Sequence, residues 1–343
     1  QQTNKPTLTF GGDRISIVND HKHLGLILSS DLRFHTHIND VLLKFNRALG
    51  PLYPLAKHLP KSVLASLYVT YVQPFLDYCD IIYDGHITMT DCMRLEKTQN
   101  RAARLITGTG LRTSTDGLRR ELGWTSLTDR RKTHKLQFYH KLIFNPKVPA
   151  FIKSIIPNTR QQNTPRTLRN TTAHTLPLVR TTTYYKSYIP SSTRIWNTLL
   201  ENLRTNPNYF TFKKHLKELI TPPRPPLYFF HGTKIGNILH TKLRLDASKL
   251  NAHLFSIQHT DSPTCACGYH SENTKHFLLS CPLYHIQREI LYTTLSSAIQ
   301  TDFSILPSSE QLDILIRGEG LSREEGGVVA TAVQSFIIRT HRL

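Results

Sequence analysis

The chain has 343 residues, 39% of them hydrophobic, and 43 Lys and Arg against 24 Asp and Glu give a formal charge of +19. That hydrophobic share supports folded cores, and the length suits about two domains of roughly 100 to 200 residues, which excludes a disordered tail. The charge points to an anionic partner, with nucleic acid the leading candidate, and no stretch approaches the roughly 20 apolar residues of a bilayer span. Neither end carries a secretory hydrophobic region. Three of the five cysteines fall in one short window, which favours a local site in a reducing, intracellular compartment over a disulfide framework. The chain opens on Gln1 without an initiating methionine, as a fragment would.

Leu8 and Phe10, a Gly11-Gly12 turn, then Ile15 and Ile17 alternate as a β-hairpin does, and Leu24 to Leu28 could add a third strand. From His35 the period becomes helical, with Ile38, Val41, Leu42, Phe45 and Leu49 on one face and Gly50-Pro51 as the stop. Pro60 opens a second helix whose apolar face would hold Val63, Leu64, Leu67, Tyr71 and Val72, and Gly85 provides a later stop. The clearest amphipathic helix spans 90–106, with Leu95, Ala102, Leu105 and Ile106 on one face and Arg94, Lys97, Arg101 and Arg104 on the adjoining one. A helix over 129–144 carries Arg130, Arg131, Lys132 and Lys135, and Pro146 and Pro149 interrupt it.

Residues 159–183 are rich in Thr, Arg and Asn without a hydrophobic period, so they read as irregular and basic. Helical patterning resumes over 191–203 and 210–220. The run Pro222-Pro223-Arg224-Pro225-Pro226 is a stiff linker and the natural boundary. Beyond it lie a short helix near 235–245, a Cys/His cluster, and an apolar segment over 328–338.

The cluster has the spacing C-x-C-x8-H-x4-C: Cys265, Cys267, His276 and Cys281. Three thiolates and an imidazole make a closed tetrahedral set for structural zinc, with no open position for catalysis. Gly268 follows the second cysteine, where a positive φ would fold both sulfurs toward one centre. His270 or His285 could stand in for His276, and reduced thiols near a buried histidine are the plainer alternative.

Four charges at intervals of three, four and three along the 90–106 helix could track phosphates, as could Arg119-Arg120, Arg130, Arg131, Lys135, Arg166, Arg169, Arg180 and Lys213-Lys214. A solvated helix face explains any one such edge, and repetition favours nucleic acid. Tyr184, Tyr185, Tyr188 and Trp196 could stack on bases, though core aromatics are commoner. Asp77, Asp80 and Asp84 at helical spacing suggest at most a weak divalent-metal or nuclease motif, and surface or capping carboxylates explain them as well. The chain has no Walker loop, no G-x-S-x-G, no H-E-x-x-H and no Asp-Asp pair, so catalysis by this chain alone is not expected.

Several segments in order resemble the carboxy-terminal part of the reverse transcriptase of non-LTR retrotransposons of the jockey and CR1-like branches. They are His23-Leu24-Gly25-Leu26, His37-Ile38, Leu67-Tyr68, Pro74-Phe75-Leu76-Asp77-Tyr78, the run from Leu95 to Arg104, Glu121-Leu122-Gly123-Trp124 and Arg130-Arg131. Further on come Leu168-Arg169-Asn170, Arg194-Ile195-Trp196-Asn197, Phe212-Lys213, and the run from His276 to Tyr284 with Arg288. Leu200 stands where the family often has proline, and the C-x-C pair is tighter than in many members.

The resemblance implies a mainly α chain: the end of the palm over 1–34, a helical thumb-like domain over 35–146, a basic connector over 147–226, and a helical tail with the CCHC zinc module over 227–343. It implies binding of template RNA or an RNA/DNA hybrid through Arg94, Lys97, Arg101, Arg104, Arg130, Arg131, Lys135 and Arg169, with the tail adding RNA contacts. The aspartate pair that binds catalytic magnesium in the whole family enzyme is absent from this chain. Nuclear and cytoplasmic ribonucleoprotein would be its location, without a membrane or small-molecule substrate. The competing reading is a zinc-stabilised protein-interaction scaffold with no nucleic-acid role.

Overall fold

The computed structural model describes residues 8–163, 171–220 and 225–343, so the expected Arg166 and Arg169 contacts and most of the proline linker lie outside the described residues. The chain is mainly helical, and among the described residues its strands are confined to the amino-terminal end. The first hairpin forms as its alternation predicts: β1 (Leu8–Phe10) pairs with β2 (Asp13–Ile15) across the Gly11-Gly12 turn, antiparallel, with Leu8 opposite Ile15. A second hairpin joins β3 (Asp20–His23) to β4 (Leu26–Ser29). Leu24 and Gly25, expected within a third strand, make its turn. Strand β3 is invisible to periodicity because Asp20-His21-Lys22-His23 has no apolar face and is exposed throughout.

The long helices are α1 (His35–Leu49), α2 (Lys61–Leu67), α3 (Met89–Thr107), α4 (Thr115–Leu122) and α5 (Leu127–Phe144). After them come α6 (Tyr188–Asn197), α7 (Tyr209–Leu219), α8 (Lys234–Arg244), α9 (His285–Ile299), α10 (Ser308–Arg317) and α11 (Arg323–Arg339). Helix α1 buries Ile38, Val41, Phe45 and Leu49 as expected. Helix α2 buries Leu64 as expected, and Val72 beyond it is buried as well, but Val63 and Tyr71 are exposed and Tyr68 is buried in their place. A π-turn over Tyr68–Val72 continues α2, and the buried side chains follow a four-residue step through it.

Contacts divide the chain into two compact units, each made of three stretches of sequence. One holds 1–45, 75–95 and 128–218, and the other 46–74, 96–127 and 219–343. The division falls within α1 and α3 and at the start of α5, since each continues from one unit into the other.

In the first unit, Tyr139, Trp196 and Phe212 are fully buried. Tyr139 and Trp196 lie 5.3 Å apart, and His140 stacks on Phe212 at 4.3 Å. Burial lowers the pKa of His140, and its Nε2 bonds the Asn206 carbonyl at 2.8 Å, so it serves as a neutral donor in an aromatic core. Trp196 and Tyr139 are therefore packing residues, and Trp196 is not available as a stacking platform. Tyr184 and Tyr185 remain about half exposed.

In the second unit the core gathers Tyr228, Leu243, Phe277, Leu291, Leu295, Phe303, Leu315, Val329, Val333 and Phe336. Helix α9 escapes the sequence pattern because Thr and Ser dilute its period. Helix α11 starts in a reciprocal capping box between Ser322 and Glu325. Gly326 on it is needed for space, since a Cβ there would come within 2.1 Å of Leu227. Among the described residues no helix is long and apolar enough to cross a membrane.

The same unit buries a charged network. Lys61 Nζ donates to Glu121 Oε1 and to Thr241 Oγ1, both at 2.7 Å, and lies 4.5 Å from the centre of the Phe229 ring. Arg244 grips Glu121 in a fork, Nε to Oε2 at 3.0 Å and Nη2 to Oε1 at 2.6 Å. Burial alone would raise the Glu121 carboxyl, but Arg244 and Lys61 overcome it and hold it well below the usual carboxylate range. Its stabilising effect is present above the ordinary value near 4.5 and is lost as pH falls below it. Glu121→Gln strands two buried cations and should cost about 3–5 kcal/mol in urea unfolding. It should also remove part of the loss of stability that the parent chain shows on acidification.

Candidate metal centre and basic surfaces

Cys265 through Tyr269 form a tight loop in which the Gly268 amide donates to the Cys265 carbonyl at 2.9 Å and the Cys265 amide donates to the Tyr269 carbonyl at 2.9 Å. Gly268 has φ +90° with open space around its Cβ position, so backbone conformation and not room requires glycine there. The other two side chains flank a π-turn over His276–Ser280, and the Cys281 amide closes it onto the His276 carbonyl at 2.8 Å. The Asn273 side chain accepts from the His276 amide at 2.8 Å.

These elements bring one ligand atom each from Cys265, Cys267, His276 and Cys281 within 4.8 Å of one another, a group that could hold a metal ion such as zinc. The Cys265 and Cys281 sulfurs are 3.7 Å apart, far beyond the roughly 2.05 Å of a disulfide. That separation matches the edge of a tetrahedron with metal–sulfur bonds of about 2.3 Å. His276 Nε2 lies 3.3 Å from Cys267 Sγ, while its buried Nδ1 has no partner. His270 and His285 are exposed, and His285 Nδ1 faces the Pro282 carbonyl, so the structure selects His276 from the three alternatives.

Burial pushes the Cys265 thiol up to about 12 and raises Cys281, while the Tyr269 backbone amide lowers Cys267. A cation among the three sulfurs is what would favour all three thiolates together. Surrounding groups fix the ligands. Tyr269 stacks on His276 at 4.3 Å and 7°. Arg288 is buried and donates to the Cys281 and Leu278 carbonyls at 2.8 and 2.9 Å. Glu272 is buried beside Cys265 and bonded to the Asn251 amide and to Arg342. Arg342 and Glu272 as supports of the site have no signal in the sequence, being 70 residues apart.

The expected basic residues fare unequally. On α3, Arg94 spans Asp91 and Asn39 at 2.9 and 2.7 Å, Arg101 bonds Asn46, and Arg104 is half-buried, leaving Lys97 and Arg101 exposed. On α5 the expectation of a free basic face is corrected. Arg131 and Lys135 are 3% and 2% exposed, and both bind Asp84, at 2.9 and 2.7 Å. Lys135 also donates to Ser191 at 3.2 Å. Arg130 grips Asp77 with two bonds of 2.6 Å.

Asp77, Asp80 and Asp84 do not share one helix, because Cys79 adopts φ +57° between two short helical turns. Instead they meet α5. His134, to which the sequence pattern gives no prominence, lies 2.6 Å from the buried Asp80, and burial raises the Asp80 pKa against the pull of His134. Asp77, Asp80 and His134 also cluster closely enough to hold an ion, with Arg130 already on Asp77. A signal exists as complementarity: acids at 77, 80 and 84 answer bases at 130, 131, 134 and 135.

Cobalt substitution tests the metal centre. Purified chain should take up one Co(II) with the absorption of a tetrahedral thiolate site, Cys281→Ala should abolish it, and His270→Ala and His285→Ala should leave it unchanged. No protein-family model, curated protein or solved structure matches the chain.

Proposed function

We propose that this chain is a nucleic-acid-binding segment, without polymerase activity of its own, from the carboxy-terminal part of a non-LTR retrotransposon reverse transcriptase. Zinc at Cys265, Cys267, His276 and Cys281 acts in folding only. One observation carries the binding role: residues 147–226 contain thirteen Lys and Arg against two Asp and Glu. Lys147, Arg160, Arg180, Lys186, Lys213, Lys214 and Lys217 within that stretch are exposed. A surface so poor in carboxylates has few internal partners to offer its cations, and a sugar-phosphate strand supplies the missing charge.

The partition of charge moves the proposed contacts away from the tail. Residues 227–343 hold ten Lys and Arg against ten Asp and Glu, so the whole surplus of +19 lies in residues 1–226. The zinc-ordered tail thus gives no general attraction for a polyanion. Buried Arg131 and Lys135 serve folding, while Lys97, Arg101 and the exposed residues of the connector meet phosphate. The family assignment rests on the order and spacing of the short motifs.

Binding of a fluorescent single-stranded RNA at increasing salt tests the reading. Affinity should fall steeply from 50 to 200 mM salt. Lys213, Lys214 and Lys217 project from α7, and changing all three to Glu should weaken binding at least tenfold. The same change should flatten the log–log salt slope by about 2, at roughly 0.7 per phosphate contact on a single strand. Salt-independent affinity, or full affinity in the triple variant, would refute the proposal.

A further inference from the structure

The Lys61–Glu121–Arg244 network leaves a charge imbalance that the fold does not resolve. Glu121 is the only described carboxylate bonded to either cation, and the Lys61 and Arg244 side chains are 3% and 4% exposed. One negative group therefore answers two positive ones in a place where an uncompensated charge is costly. Burial pushes Lys61 down to about 8 in spite of Glu121, which shows how weakly its charge is supported there.

A cleft of about 730 Å³ opens beside the network, within the same unit. Arg244 and Glu121 line it, with Arg120, Arg317, Glu319 and the apolar Leu245 around them. Arg120 and Arg317 are exposed. Glu319 meets Arg317 only at 3.4 Å, with both side chains 60% exposed, so it neutralises little. Arg244 holds Glu121 through Nε and Nη2 and Thr241 through Nη2 at 3.0 Å, while its Nη1 makes only a long bond of 3.5 Å to the Ile316 carbonyl. The cleft lining has three cations and two carboxylates, and Lys61, which holds Glu121 without lining the cleft, brings the local surplus to two.

We propose that this cleft is a binding site for a phosphoryl anion, held by Arg244 at its base and by Arg120 and Arg317 at its mouth. A phosphate group at neutral pH carries between one and two negative charges, which matches the surplus of two, and guanidinium forks fit its oxygens. Free phosphate and a phosphodiester of a nucleic-acid strand present the same chemistry. The proposal stands apart from the reading of the connector, since of residues 147–226 only Pro225 and Pro226 line the cleft and none of the connector's cations takes part.

The test uses the full chain with its metal, at constant ionic strength. Melting temperature and calorimetric titration would be followed with inorganic phosphate, pyrophosphate, a ten-nucleotide single-stranded RNA, and acetate. Phosphate or pyrophosphate should raise the melting temperature saturably, and the Arg120→Ala, Arg317→Ala double variant should weaken the apparent affinity at least tenfold. Lys249→Ala, on the surface of the same unit, should change nothing, nor should the connector triple variant in the phosphate arm. Saturation by phosphate supports a free ligand, and a response to RNA alone that is lost in the double variant supports a strand phosphate. The assignment is overturned if neither probe gives a saturable rise, if the double variant retains it, or if acetate matches phosphate.

Discussion

Carboxylates are the scarce component of this chain, and where they sit governs the rest. With 24 acids for 43 bases, the protein cannot neutralise its cations one for one. It places several acids where desolvation makes them count, and three of them are each shared between two partners. Asp84 serves Arg131 and Lys135, Glu121 serves Lys61 and Arg244, and Asp91 serves His35 and Arg94. Each joins segments far apart in sequence, so these pairs select one packing among many that hydrophobic burial alone would allow. Residues 147–226 hold eleven of the nineteen surplus charges, and seven of their cations are exposed among the described residues.

The metal-ligand group obeys the same economy. Three sulfurs close together are a latent pool of negative charge, realised when a cation joins them. Their surroundings supply balance from outside, through Arg288 on the backbone carbonyls and Arg342 on Glu272. Residues 227–343 carry equal numbers of basic and acidic side chains, in contrast to the connector. Two regions of one protein thus have opposite electrostatic characters, and a single net charge conceals the difference.

The range of each interaction decides whether it is legible in the sequence. Helices α1, α3, α5, α7 and α8 are readable because a local apolar period and local stops define them. The C-x-C-x8-H-x4-C spacing is readable because all four candidate ligands lie within 17 residues of chain. The identity of the histidine is not, since three candidates have comparable spacing and only the π-turn at His276 decides among them. Arg131 and Lys135 look like surface charge because a helix wheel cannot reveal a carboxylate arriving from 47 or 51 residues away. Trp196 is ambiguous for the same reason.

Glu121 belongs to a stretch that precedes the Cys/His region by more than a hundred residues, yet Arg244 and Lys61 depend on it. The carboxy-terminal region therefore cannot be exchanged as a cassette between related chains at the proline-rich junction. A graft at that point would import Arg244 without the acid that makes its burial tolerable. Recombination would have to carry residues 46–74 and 96–127 along with 219–343, so inheritance of this region is tied to chain that a linear map assigns elsewhere.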